Sequence, residues 1–380
     1  MDSVFNTDKR IKMGIWGLGR GQSFLNSAKA LNIDVVAGCD IHPEMRARFQ
    51  QNVPDAFLTD KEDEFLAQDF DVVLIATYLK DHAKHTIKAL EAGKHVLCEV
   101  TSFYTVAEGV QVIEAVEKSG KIYNLLENYP FTKPNLYLKK LWDDGMFGEF
   151  QYAEFEYAHE ARILLYAYNT PGESLPVEPG YTVHNWRAGL NYHYYCTHSL
   201  GPIMQITGRR PVKVSAFPCD IHLPGMLQDI PRQSFCPSMI QMDNGGLVRN
   251  LMASSTNDYH FGERLWGTLA GAEKITDDLR IRVGGAGGGH MLDIQPEWPE
   301  LGELASSTGH GGGDFWELYY FARQFFTGEP APWDIYSAAD VTLAGIMAVE
   351  SASKGGIPLE IPDLRDPAVR DRYRNHPAAP

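Results

Sequence analysis

Lys12-Met13-Gly14-Ile15-Trp16-Gly17-Leu18-Gly19-Arg20-Gly21-Gln22-Ser23 is a short apolar run that breaks into glycines and then enters a helical stretch reaching about Leu31. A strand, a glycine turn and a helix in this order provide what a dinucleotide's pyrophosphate needs: a tight turn, bare backbone, and the unpaired N–H groups of a helix start. A strict G-x-G-x-x-G would put its third glycine at position 22, where Gln22 stands, so helix and strand are expected to pack slightly apart. Taken alone, the stretch also fits an ordinary glycine turn. The next segment, Asp34-Val35-Val36-Ala37-Gly38-Cys39-Asp40, reads as a second strand ending in an acid about 20 residues beyond the turn, where the dinucleotide fingerprint places its ribose-binding carboxylate. Asp40 there repels a 2′-phosphate, and Ile41, His42 and Pro43 offer no arginine, so NAD is expected rather than NADP.

Further strand and helix units follow: Asp71 to Thr77 with a helix through Ala92, then Lys94 to Val100, then Lys121 to Leu126. Their alternation predicts an α/β, doubly wound parallel sheet of Rossmann type. Ligands of such sheets lie at the carboxyl ends of the strands, which places Thr77, Tyr78, Glu99, Val100 and Asn128 around the nicotinamide, with Glu127 beside them. Gly17, Gly19, Arg20, Gln22 and Ser23 are left for the pyrophosphate. His82 and His85 have a spacing that metal sites use, but the further ligands of a closed site are not evident; no metal is expected, and His82 is assigned to the cofactor.

At 380 residues the chain suits two domains, and 44% hydrophobic with 22% charged residues is a globular composition. A net charge of -15 leaves no basic stripe for nucleic acid or an anionic membrane. Five scattered cysteines without C-x-x-C point to neither a disulfide framework nor zinc. The polar N-terminus, Met1 to Ile11, leads straight into the first strand without the pattern of a signal peptide, and a cytoplasmic location is expected. From Phe150 the pattern turns to longer, alternating, aromatic-rich strands, with Asp243-Asn244-Gly245-Gly246 as a hairpin signal. An open, largely antiparallel sheet is predicted there, in an α+β domain. The expected division is 1–128 for the Rossmann domain, 129–365 for the second domain and 366–380 for an extended tail.

Ala89-Leu90-Glu91-Ala92-Gly93-Lys94-His95-Val96-Leu97-Cys98-Glu99, with the Rossmann turn before it and Ile361-Pro362-Asp363 near the end, resembles the Gfo/Idh/MocA family over almost the whole chain. Most members are sugar or polyol dehydrogenases and are commonly oligomers, so the resemblance implies a small-molecule substrate and a homo-oligomer. Family dehydrogenases usually read Glu-Lys-Pro where this chain reads Glu99-Val100-Thr101, and that lysine serves the reacting hydroxyl; Val100 does no acid–base chemistry.

Glu99-Val100 is instead similar to the NAD-dependent α-N-acetylgalactosaminidases of glycoside hydrolase family 109. Glu127-Asn128, Tyr157-Ala158-His159-Glu160-Ala161-Arg162 and Tyr195-Cys196-Thr197-His198-Ser199-Leu200-Gly201-Pro202 resemble that branch in order, as do Tyr259 ahead of Gly267-Thr268, and His310-Gly311-Gly312 ahead of Asp314; Trp186-Arg187 matches more weakly. The resemblance implies transient oxidation at sugar C3, elimination, addition of water and re-reduction, with NAD recycled and a small glycoside as substrate. It assigns His198 to the C3 hydroxyl in place of the lysine, Tyr195 or Tyr157 to the C2 proton, and Glu127 to the leaving group or water. It assigns His159, Arg162, Arg187, Tyr259 and His310 to the sugar. Residue by residue, plainer readings stand beside these: Tyr157 as a packed strand aromatic, His198 as a satisfied interior histidine. Two other functions also remain, a sugar dehydrogenase using His198 and a non-catalytic NAD-binding sensor. Without a secretion signal, sugars other than an N-acetylhexosaminide enter, an anionic sulfoquinovoside among them, with Arg162, Arg187, Arg209 and Arg210 as candidate cations.

Overall fold

The computed structural model describes residues 4–159, 190–219, 235–253, 256, 259, 262–275, 278–285 and 288–378, and the backbone of two short strands at 168–170 and 173–174. Two compact units emerge, the first from Met1–Thr132, Glu300–Ala339 and Asp363–Ala378, the second largely from Lys133–Pro299 and Asp340–Pro362.

The first unit holds six strands: β1 Ile11–Trp16, β2 Ile33–Cys39, β3 Phe57–Thr59, β4 Val72–Ile75, β5 His95–Glu99 and β6 Tyr123–Leu126. They pair in parallel in the order β3-β2-β1-β4-β5-β6. Every residue of β4 is buried, as expected of a strand covered on both faces. Chain order reverses between β1 and β4, so the crevice of a doubly wound sheet opens where Gly17 and Thr77 leave these two strands. The helices α1 Leu25–Ala30, α2 Pro43–Asn52, α3 Glu62–Leu66, α4 His82–Glu91 and α5 Val106–Ser119 complete the alternation. α5 shows why a stretch starts and stops where it does. Thr105 and Glu108 form a reciprocal cap at its start, and Gly120 ends it at φ 63°.

Three expectations change. A Cβ on Gly21 would run into the Ile15 side chain, so the glycine that lets helix and strand close up is Gly21, not a residue at 22, and the two elements do not pack apart. The tail is not extended throughout, because Pro367–Tyr373 is helical: Asp366 caps Ala368 N–H at 2.8 Å, Pro367 sits in the first turn, and Arg370 and Arg374 pair with Glu117 and Glu114 on α5. The segment 300–339 also belongs to the first unit, through the helix Gly313–Thr327, whose Phe315, Leu318, Phe321 and Ala322 are fully buried.

The second unit is built on nine strands. Besides β7 Phe150–Ala158 they are β10 Pro211–Ala216, β11 Phe235–Met242, β12 Leu247–Ala253, β13 Glu263–Gly267, β14 Ala270–Ile275, β15 Asp278–Val283, β16 His290–Ile294 and β17 Leu359–Glu360. The strands β8 Tyr168–Thr170 and β9 Glu173–Ser174 pair separately. In the order β16-β15-β14-β13-β7-β12-β11-β10-β17 only β7 and β12 run parallel, so the sheet is mixed and mostly antiparallel. Gly245, at φ 86°, turns the β11–β12 hairpin, where Gly245 N–H donates to Met242 O at 2.9 Å. Helix Thr197–Thr207 packs on β7 and β12 and ends at Gly208, φ 67°.

Candidate functional site

Gly17 has φ 96°, and a Cβ there would strike the Ala76 carbonyl, so only glycine makes this turn. A Cβ on Gly19 would meet nothing within 4 Å, which leaves bare backbone facing open space at the start of a 3-10 turn, Arg20–Phe24, that feeds α1. This cradle fits a pyrophosphate. Asp40 ties the turn to the end of β2: its carboxylate accepts from Leu18 N–H at 2.7 Å and His42 N–H at 2.8 Å. Gln22 donates to Leu18 O and accepts from Asn52, bracing the turn from outside, and Ser23 is exposed. Tyr78 reaches His42 Nε2 at 3.1 Å, so it stands at the Asp40 end of the crevice rather than around the nicotinamide. Arg46, which the sequence reading passed over, donates to Asp40 O from one turn into α2.

At the carboxyl ends of β5 and β6 a charged cluster forms. Arg20 pairs through Nε with Glu99 Oε1 at 2.8 Å and donates from both terminal nitrogens to Asp314, at 2.8 and 2.7 Å, with its guanidinium 4.4 Å above Phe24. Asp314 is fully buried, and His310 Nδ1–H donates to its Oδ1 at 2.9 Å. Burial works against the Asp314 charge, but the hydrogen bonds from Arg20 and His310 hold its carboxyl down at about 2. Glu127 is fully buried and accepts from Tyr129 N–H at 3.2 Å, while Gly313 packs so tightly on Asn128 that any side chain there would collide with it. Arg20 thus donates two hydrogen bonds to Asp314 and forms an ion pair with Glu99. Asp314 and Glu317 are functional candidates the motif reading left unassigned. Their signal was acids three apart on an otherwise apolar, aromatic helix.

His82 is buried, with Nδ1–H donating to Thr101 O at 2.7 Å and Nε2–H to Thr77 O at 3.1 Å. Burial opposes its charge, yet the Cys98 thiol and the two carbonyls raise it to about 9. Both nitrogens are spent on backbone, so the imidazole joins the ends of β4 and β5 and supports the crevice from beneath. His85 goes elsewhere: burial pushes it down to about 4, it accepts from Thr77 Oγ1 at 2.8 Å, and it stacks on Trp16 with ring centroids 4.0 Å apart. Val100 is buried and apolar.

In the second unit the tyrosines and histidines singled out by the resemblance come together as a run of rings. Tyr157, at the end of β7, lies 4.8 Å from His198 and 5.4 Å from His159, centroid to centroid. His198 lies 6.0 Å from Tyr195, and His159 meets Tyr259 edge-on at 4.7 Å. The positions follow from local structure. Strand alternation sets Tyr157 one residue before the buried Ala158, Tyr195 closes a 3-10 turn, and His198 opens the helix that packs on β7. Tyr195 is buried and His198 half-buried, whereas Tyr259 is exposed. Arg162 and Arg187 lie outside the described residues. Arg209 pairs with Glu149 at 2.8 Å.

Two family models match the chain. Residues 11–126 match "Oxidoreductase family, NAD-binding Rossmann fold", of the Gfo/Idh/MocA group, and residues 293–369 match "Glycosyl hydrolase 109, C-terminal domain". The chain joins a Gfo/Idh/MocA domain to a glycosyl hydrolase 109 C-terminal domain. The first of these binds NAD. Similar curated proteins are glycosyl hydrolase family 109 proteins of Saccharopolyspora erythraea, 26% identical over 99% of this chain and 87% of the relative, and of Shewanella putrefaciens, 26% identical over 93% and 85%. Among solved structures, levoglucosan dehydrogenase with NADH and L-sorbose superposes with a TM-score of 0.76 at 18% identity, covering 94% of this chain and 100% of that one. An inositol dehydrogenase homolog from Azotobacter vinelandii with NADH and myo-inositol gives 0.71 at 19%, covering 93% and 98%. The chain therefore has an oxidoreductase fold. Among the described residues no helix is long and apolar enough to cross a membrane.

Proposed function

We propose that the protein is an NAD-dependent glycoside hydrolase that oxidises a small hexopyranoside at C3, eliminates the aglycone, adds water and returns the hydride to C3 before product leaves. The observation that carries this reading is a pair of features in one chain. The residue after Glu99, where dehydrogenases of this fold keep a lysine, is the apolar Val100, while the second unit holds an imidazole, His198, flanked by the phenols Tyr157 and Tyr195. Bound NAD supplies a hydride acceptor and donor. Gly17, Gly19 and Asp40 hold it, with Glu99 and Asn128 at the nicotinamide end.

His198 takes the proton of the C3 hydroxyl. A ketone at C3 acidifies the C2 hydrogen, and Tyr195 or Tyr157 removes it. Glu127 assists the departing oxygen or the incoming water. His159, Tyr259 and His310, with Arg162 and Arg187, hold the sugar, an N-acetylhexosaminide or another such as a sulfoquinovoside.

The test is incubation of the full-length protein with a panel of aryl glycosides, with and without added NAD. Release of aglycone without accumulation of NADH supports the reading. NADH accumulating with no aglycone makes the protein a dehydrogenase, and neither signal removes both enzymatic readings. In deuterated water the product must carry deuterium at C2; its absence removes the elimination step. Replacing His198 by Gln is expected to slow turnover by about 10²- to 10⁴-fold, the usual worth of a placed acid or base.

A further inference from the structure

Among the described residues, the carboxyl edge of the six-stranded sheet gathers more buried acids than cations. Glu99, Glu127, Asp314 and Glu317 gather there, all at most 8% exposed, around the guanidinium of Arg20, with His310 joined through Asp314. Three of the four have partners already described. Glu317, at 4% exposure, has none: neither carboxyl oxygen finds a hydrogen bond among the described residues. The Asn128 Oδ1, 3% exposed and held at the same edge by Gly313, also lacks one. A carboxylate buried without a donor and surrounded by like charge is costly, so the neutral acid is its resting form.

The groups that face Glu317 are Asp314 on its own helix, Glu99 from β5, Glu127 after β6 and Arg20 from the glycine turn. Burial, then Asp314 and Glu99, push its carboxyl well above the usual range, while Arg20 pulls the other way. NAD binding brings the nicotinamide to this edge of the sheet. The oxidised ring carries a positive charge and the reduced ring none. Of the groups at this edge, Glu317 is the one whose ionisation an added cation would release at least cost.

We propose that Glu317 exchanges one proton per hydride cycle, ionised beside the oxidised cofactor and protonated beside the reduced one. The balance closes. When an alcohol is oxidised, the C–H hydride passes to the nicotinamide, the hydroxyl proton leaves the oxygen through the base beside it to solvent, and solvent returns one proton to the Glu317 carboxylate. Cation and carboxylate become two neutral groups, so the buried edge keeps its net charge, and the return of hydride reverses each transfer. The proposal requires NAD binding alone, and stands or falls separately from glycoside cleavage.

Calorimetric titration of the full-length protein with NAD and with NADH, in buffers of different ionisation enthalpy, reads the proton count directly. NAD binding is expected to release close to one proton, and NADH binding almost none. Accordingly the ratio of Kd for NADH to Kd for NAD rises about tenfold per pH unit near neutrality, equivalent to an extra 30 mV or so per pH unit in the bound couple. Glu317→Gln, which matches the shape of the neutral acid, removes both effects. Infrared difference spectra of the unaltered protein provide a check that needs no variant: the carbonyl band of a protonated carboxylic acid must fall on adding NAD and not on adding NADH. Equal proton counts for the two cofactors, an effect that survives in Glu317→Gln, or an unchanged carbonyl band each overturns the proposal.

Discussion

Replacing Asp314 by Asn removes one charge and little volume from a buried carboxylate that holds three hydrogen bonds. Its two oxygens accept two hydrogen bonds from Arg20 and one from His310, and its side chain has no exposed surface. Breaking a buried pair from one side generally costs about 3–5 kcal/mol, because the other charge stays behind. Here Arg20 keeps Glu99 at 2.8 Å and a quarter of its side-chain surface in solvent, which argues for the lower part, about 2–4 kcal/mol. For a unit of this size, each kcal/mol moves the melting temperature by roughly 2–4 °C, so a fall of about 5–15 °C is expected in a thermal melt of the full-length protein. Arg20→Gln should fall comparably, and the double variant little further, since both changes break the same contact. A loss under about 1 °C for Asp314→Asn, or strictly additive losses, would refute the claim that these two residues form one stabilising unit.

Other consequences are as direct. His82 is raised from 6.5 to about 9, so its imidazolium stabilises the folded state fully below pH 6.5 and loses that contribution as pH climbs through about 9, worth roughly 3 kcal/mol at most. Melting curves across that range should show a decline in the unaltered protein that His82→Gln lacks; parallel declines would remove the assignment. Asp40→Asn takes away the charge that repels a 2′-phosphate while Arg46 stays close by, and the ratio of NADP to NAD dissociation constants, measured by quenching or calorimetry, should fall by about tenfold or more. Gly21→Ala sets a methyl group against Ile15; an overpacking penalty of about 1–3 kcal/mol is expected, with weaker NAD binding, and an unchanged melt would contradict this close approach of helix and strand.

Short-range chemistry was readable without coordinates. The turn at Gly17 and Gly19, the acid at Asp40 and the Asp243-Asn244-Gly245-Gly246 hairpin each depend on residues close in the chain, and their steric rules act locally. The role of Gly21 escaped the spacing rule because it depends on the approach of one helix to one strand, visible only as a collision with Ile15. Tyr157 and His198 illustrate the middle ground. Residue pattern left each open between packing and chemistry, and it took the helix Thr197–Thr207 lying on β7 to bring their rings within 4.8 Å.

What the amino-acid sequence by itself determined was the order of strands and helices, the dinucleotide turn and the absence of a lysine after Glu99. Only tertiary structure decided where Arg20 spends its charge. Its partner Asp314 lies 294 residues away, and no periodicity or spacing links positions so far apart. The same return of the chain, through 300–339, carries Glu317 into a buried edge where no donor among the described residues meets it. Hydrogen bonding and desolvation act over a few ångströms of space whatever the separation along the chain, so the chemistry of that edge exists only once the fold has closed.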